Sequence, residues 1–247
     1  MTALLILRQS LMNLWLQPLA ILRIIALPTA LMMCCLGLML WVAGTPGIEA
    51  PRLVATVAFL VGAFAMLWVT VNLHRLFLLG EGTGWRPPLR LRTMLGYGAM
   101  LVPVVLVLFG VMLLLALLVA RIRADGTAFA ASLVFDDAAN ILTTATMLRL
   151  TSLLPALALD RPLAGYRPGR LRGAGAILAI SALMIVTGGA VALLQSPILP
   201  DPSGITSLPM AVVTVIATML WSVLVTVFNI SLLSVLWSHY VDGRPLH

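Results

Sequence analysis

Long apolar runs, broken by short clusters of Gly, Pro and Arg, set the rhythm of the chain. Six of them, near 24–43, 53–74, 96–120, 139–159, 174–195 and 211–238, are long enough to cross a membrane. A helix needs about 20 residues to span a ~30 Å hydrocarbon layer. The gaps carry turn residues: Thr45-Pro46-Gly47, Gly80 to Pro88, Gly165 to Gly173, and Pro197 to Pro209. The fourth run is diluted by Thr143, Thr144, Thr146, Thr151 and Arg149, and Pro155 predicts a kink in it.

Residues 2–16 follow a different pattern. Arg8, Gln9, Ser10, Asn13 and Gln17 fill one half of a helical wheel, and Leu4, Leu7, Leu11 and Trp15 fill the other. This predicts an amphipathic helix lying in the membrane interface and stopped by Pro18. A signal peptide is not expected, because the next apolar run is of full spanning length and ends without a convincing cleavage site. The predicted fold is therefore all-α. It has an interfacial helix over 1–17 and a polytopic bundle of six transmembrane helices over 18–247.

Composition supports this reading. Of 247 residues, 62% are hydrophobic and 9% charged, with a mean hydropathy of +1.11. Soluble domains have about 45–50% apolar and about 25% charged residues. A water-soluble globule, a disordered chain and a disulfide scaffold are thereby excluded. All 15 basic residues are Arg, against 8 acids, for a net charge of +7. In a soluble protein this would suggest nucleic acid; here the Arg residues flank apolar spans, so no nucleic-acid partner is expected. With a cytoplasmic N-terminus, Arg8, Arg23, Arg75, Arg86, Arg90, Arg92, Arg161, Arg167, Arg170, Arg172 and Arg244 lie inside, against Arg52, Arg121 and Arg123 outside. The positive-inside rule then places both termini in the cytoplasm, and the absence of Lys beside abundant Ala, Leu, Gly and Arg suggests GC-rich bacterial coding and hence a bacterial inner membrane. Trp41, Tyr97, Trp237 and Tyr240 fall where interfacial aromatic belts are expected.

The three helices that return inward end alike. His74–Gly82 reads HRLFLLGEG, the stretch from Ala156 reads ALALDRPLAG, and that from His239 reads HYVDGRPLH. Each sets an acid, Glu81, Asp160 or Asp242, just past its span. Gly84-Trp85-Arg86-Pro87 and Gly165-Tyr166-Arg167-Pro168 extend the likeness, which suggests three parallel two-helix units. HRLFLLGEG and RLTSLLPALALDRPL (Arg149–Leu163) also resemble a group of alphaproteobacterial multi-span inner-membrane proteins of about this length. The second inner loop departs from that group, with GYRPGRLRG where a Trp-Arg-Leu-Thr-Arg-Gly-Asn type of phrase is usual. The resemblance implies a multi-helix inner-membrane protein and brings no activity with it.

Candidate chemistry is sparse. There is no phosphate-binding Gly loop, His-Glu-x-x-His motif or Gly-x-Ser-x-Gly elbow, so no catalytic residues, metal or cofactor are expected. Cys34 and Cys35 read as small apolar side chains, His74 and His239 as headgroup contacts, and Asp136 with Asp137 as a solvated helix start. Arg149, about 16 Å of helix from Asp160, lies deep in the fourth span and needs a partner. Asn229 is the best candidate, within an intramembrane polar cluster of Arg149, Asn229, Thr146, Ser152 and Ser222. The nearly polar-free third span is expected to face lipid, and the fourth and sixth to be central. Arg86, Arg90, Arg92, Arg167, Arg170 and Arg172 are candidate contacts for anionic lipid headgroups.

The leading functional expectation is a non-enzymatic accessory, scaffold or assembly subunit that binds a membrane partner and anionic lipid. The alternative is a small permease with a polar lining from the fourth and sixth helices. A lipid-modifying enzyme comes third.

Overall fold

The computed structural model describes residues 2–44, 51–124, 129–152, 154–161, 175, 177–184 and 208–245. Among them all regular structure is helical. The elements are α1 (Thr2–Leu16), α2 (Pro18–Gly44), α3 (Pro51–Leu79), α4 (Leu91–Ala124), α5 (Phe129–Thr151), α6 (Leu154–Ala158), α7 (177–184) and α8 (Leu208–Tyr240). Five stretches are long and apolar enough to cross a membrane: Pro18–Met39, Leu53–Leu79, Leu91–Leu118, Ala138–Ala158 and Ile216–Tyr240. Of the expected fifth span, 174–195, only 175 and 177–184 fall within the described residues.

Proline sets several boundaries. Pro18 does not simply stop α1; it opens α2 with Gln17 between them, and Pro51 opens α3. The first position of a helix tolerates proline because its missing N–H would have had no intrahelical acceptor. Near the expected kink at Pro155, α5 ends at Thr151 and α6 runs from Leu154 with Pro155 as its second residue, Leu153 lying outside the described residues.

Helix α3 is the hub, packing against α2, α4, α6 and α8. Ala65, Val69, Leu73 and Leu76 recur at helical spacing and meet Ile21, Ile24 and Met32 of α2 and Val223, Val227 and Ile230 of α8. On another side Val71 joins Met94 and Tyr97 of α4 with Leu154 and Ala158 of α6. A side chain at Gly98 would press on α3, because an added Cβ would stand 3.1 Å from Leu67 Cδ1. A further core joins Ile6 of α1, Ala145 and Leu148 of α5, Ile177 and Ile180 of α7, and Leu232, Leu233, Val235 and Leu236 of α8.

Helix α4 is the least enclosed span, and those of α5–α6 and α8 are the most enclosed. Helix α1 is not held by apolar contact alone. Ser10 is buried and donates to the Ile6 carbonyl (2.7 Å), while Ser231 of α8 donates to the Ser10 carbonyl (2.9 Å). The apolar Leu4, Leu11, Trp15 and Leu16 remain exposed.

Candidate functional site

The charged side chains converge where α3, α6 and α8 end. Each of these helices finishes with a residue in the left-handed backbone region: Gly80 (φ 68°), Asp160 (φ 55°) and Gly243 (φ 69°). That conformation turns the chain and lets following amides reach the last carbonyls. Gly80 N–H donates to the Leu76 carbonyl (2.9 Å), Arg161 N–H to Ala156 (3.0 Å) and Arg244 N–H to Ser238 (3.0 Å).

The three repeated acids meet at these turns. Arg75 donates from Nε and Nη2 to Glu81 at 2.8 and 2.7 Å, a two-pronged grip within the end of α3. Its Nη1 crosses to the Ala158 carbonyl (3.1 Å) and the Asp160 carboxylate (3.2 Å). From there Arg161 reaches Asp242 at 2.8 Å, and Arg244 returns to the Leu78 carbonyl at 3.4 Å. The links run α3 to α6, α6 to α8 and α8 back to α3, so the three helix ends form a closed ring. Helix α4 joins through Thr93, which donates to Asp160 at 2.7 Å, and through Arg90 just ahead of it, which donates to Glu81 at 3.0 Å. The Arg75 grip, together with the neighbouring positive charges, holds the Glu81 carboxyl below its ordinary pKa despite partial burial.

One turn inside the ring lies a buried triad. The Ser234 hydroxyl donates its proton to the Ile230 carbonyl (2.8 Å), so its oxygen must accept from His74 Nδ1–H (2.9 Å). This leaves Nε2 of a neutral ring to accept from the Tyr97 hydroxyl at 3.3 Å. His74 is fully buried, so it is not a headgroup contact. Tyr97 and Trp237 are buried too and do not belong to an aromatic belt. The reason is angular: successive helical residues point about 100° apart, so Arg75 reaches the bundle end while His74 faces Ser234. Sequence reading missed this triad; a His at a span end with Tyr and Ser at matching depth on neighbouring spans was the available clue.

The 80–90 loop is tied down as well. Trp68 Nε1 and Asn72 Nδ2 both donate to the Pro88 carbonyl, at 3.2 and 3.3 Å. Arg23 lies over the Trp85 ring at 5.9 Å. Arg86 and Arg92 are exposed and make no bond among the described residues, whereas Arg90 is committed to Glu81. Arg167, Arg170 and Arg172 lie outside the described residues, as do the side chains of Asp136 and Asp137.

The hydrogen bonds among the described residues do not link the expected intramembrane cluster. Thr146 donates to the Leu142 carbonyl, Ser152 to Arg149 and Ser222 to Thr218, each within its own chain turn. A hydroxyl satisfied by its own helix has no need to face inward, and Ser222 and Thr218 are exposed. Asn229 Oδ1 is buried without a partner, so it takes no hydrogen bond from Arg149. Arg149 itself points outward from α5. His239 Nδ1–H donates to the Arg244 carbonyl (3.1 Å), Cys34 is exposed and Cys35 half-buried. The chain matches no protein-family model, no curated protein and no solved structure.

Proposed function

We propose that the protein is a non-enzymatic accessory, scaffold or assembly subunit of a bacterial inner membrane, with both termini cytoplasmic, whose α5 face binds a partner membrane protein. The observation that carries this reading is Arg149, exposed in the middle of the span Ala138–Ala158. Helical side chains lean toward the helix N-terminus. Arg149 therefore leans away from the charged ring rather than toward it, and its guanidinium has no short route to that surface. A cation at such depth costs about 2.5–3.5 kcal/mol on insertion scales. None of the five candidate spans carries an Asp or Glu to offset it. A carboxylate or a set of carbonyls on a partner helix supplies what the described residues do not offer.

The rest of the molecule is consistent with a rigid docking body. Its helix ends are closed by ion pairs, and the exposed Arg86 and Arg92 suit anionic lipid on the Arg-rich side. The permease reading receives less support, because the α8 hydroxyls at Thr218 and Ser222 are tied to their own helix and face outward. Native mass spectrometry after gentle detergent extraction tests the proposal. The wild type is expected to carry a stoichiometric membrane protein, Arg149→Leu to fold but lose it, and Arg149→Lys to keep part of it. A wild-type chain free of any partner, or a partner held equally well by Arg149→Leu, would contradict the reading.

A further inference from the structure

Between α1, the end of α3 and the end of α8 lies a cavity of about 270 Å³, lined among others by Gln9, Asn13, Ser238, His239 and Arg244. Phe77 and Val235 form its apolar wall. Among the described residues the lining holds a cation and no carboxylate, in contrast to the neighbouring ring, where each of Glu81, Asp160 and Asp242 is paired with an Arg.

Several of its polar groups have capacity left over. Arg244 uses one N–H on the Leu78 carbonyl at 3.4 Å, leaving four of the five N–H groups a guanidinium carries. Its backbone is fixed, because His239 donates to the Arg244 carbonyl and Arg244 N–H donates to Ser238. The Ser238 hydroxyl and the Asn13 amide make no hydrogen bond among the described residues. Gln9 Oε1 is buried with no partner, and a buried acceptor left unpaired costs about 1–3 kcal/mol. The cavity thus offers one exposed guanidinium on a fixed backbone, two neutral donors and one acceptor in need of a proton.

We propose that this cavity binds a phosphate ester bearing a hydroxyl, with Arg244, Ser238 and Asn13 donating to the phosphate oxygens and Gln9 Oε1 accepting from the hydroxyl. A guanidinium with flanking neutral donors is the usual recognition set for phosphate oxygens, and charge-assisted bonds are about twice as strong as neutral ones. A phosphatidylglycerol headgroup has this chemistry, and so does soluble glycerol 3-phosphate. Placement favours the lipid: Gln9, Asn13 and the exposed Leu16 share one stripe of α1, so apolar surface continues from the polar pocket. The site is separate from Arg149, and either can fail without the other.

The test uses the full chain in detergent, titrated with dioleoyl phosphatidylglycerol, with dioleoyl phosphatidylcholine or with glycerol 3-phosphate and read by native mass spectrometry. One phosphatidylglycerol is expected to bind about tenfold more tightly than phosphatidylcholine. Arg244→Gln is expected to remove that preference, as is Gln9→Glu, which brings a negative charge into the cavity without changing its shape. Ser238→Ala, a milder change that leaves the ring intact, weakens binding severalfold, and the Arg86→Gln/Arg92→Gln double variant retains the site. Glycerol 3-phosphate binding with the same dependence on Arg244 and Gln9, but without lipid selectivity, upholds the phosphate site and makes its ligand soluble. Binding of both ligands unaffected by Arg244→Gln and Gln9→Glu would overturn the proposal.

Discussion

Arg75 and Asp160 are 85 residues apart in sequence, yet the guanidinium of one stands 3.2 Å from the carboxylate of the other. The same guanidinium grips Glu81 with its other two nitrogens, and its side chain is only 11% exposed. Arg75 therefore joins the turn that ends α3 to the turn that ends α6.

Arg75→Leu is expected to destabilise the fold by about 1–3 kcal/mol, because it strands the Ala158 carbonyl and leaves Glu81 with Arg90 alone and Asp160 with Thr93 alone. Arg75→Lys should recover little, since a single ammonium cannot hold a carboxylate by two bonds and reach a second helix. Thermal unfolding of the detergent-solubilised protein measures both. An unchanged Tm in Arg75→Leu would show that the ring is ornamental.

The ring also sets an acid limit. Glu81 has its pKa lowered in the folded chain, chiefly by the hydrogen bonds from Arg75. A lowered carboxyl pKa contributes stability that is fully present above the unfolded value, about 4.3, and is lost as pH falls through the folded value. Stability should therefore drop below about pH 4.3, and in Glu81→Gln this component of the drop should be absent. Identical acid profiles for the two proteins would count against the pairing.

His74→Leu should cost about 1–3 kcal/mol, since it leaves the buried Tyr97 hydroxyl without its acceptor and the Ser234 oxygen without its donor, Ser234 keeping its bond to the Ile230 carbonyl. A double-mutant cycle with Ser234→Ala should return a coupling of about 0.5–1.5 kcal/mol. Additive single effects would mean that the two groups do not interact.

Glycine substitutions separate conformation from space. Neither Gly80 nor Gly243 has anything within 4 Å of an added Cβ, yet both have positive φ. Ala at either should destabilise by about 1 kcal/mol through backbone conformation alone. Gly82→Ala and Gly84→Ala, at open positions without positive φ, should be neutral or slightly stabilising. Equal effects at all four positions would remove the case for left-handed caps at these helix ends.

What could be read from the sequence depended on whether the deciding interaction was local. Helix α4 is the most exposed span, in keeping with the near absence of polar atoms in its apolar run, while α5–α6 and α8 are the most enclosed but do not turn the expected polar arcs inward. The likeness of Glu81, Asp160 and Asp242 was visible because each ends a helix in its own turn. Their pairing was not, because Arg75–Asp160 and Arg161–Asp242 depend on which helices end side by side. The polar arc of α8 misled in the opposite way: hydroxyls at Thr218, Ser222 and Thr226 bond to carbonyls one turn back, so their spacing says nothing about which face is buried.

Photo-crosslinking in intact membranes tests partner binding at α5 most directly. A photoreactive residue replaces Leu142, which is exposed and lies two helical turns before Arg149 on the same face. A discrete adduct with a second membrane protein is expected, abolished by Arg149→Leu and kept by Met147→Ala on the other side of the helix. Adducts only to lipid or within the chain itself, the same with and without Arg149, would contradict it.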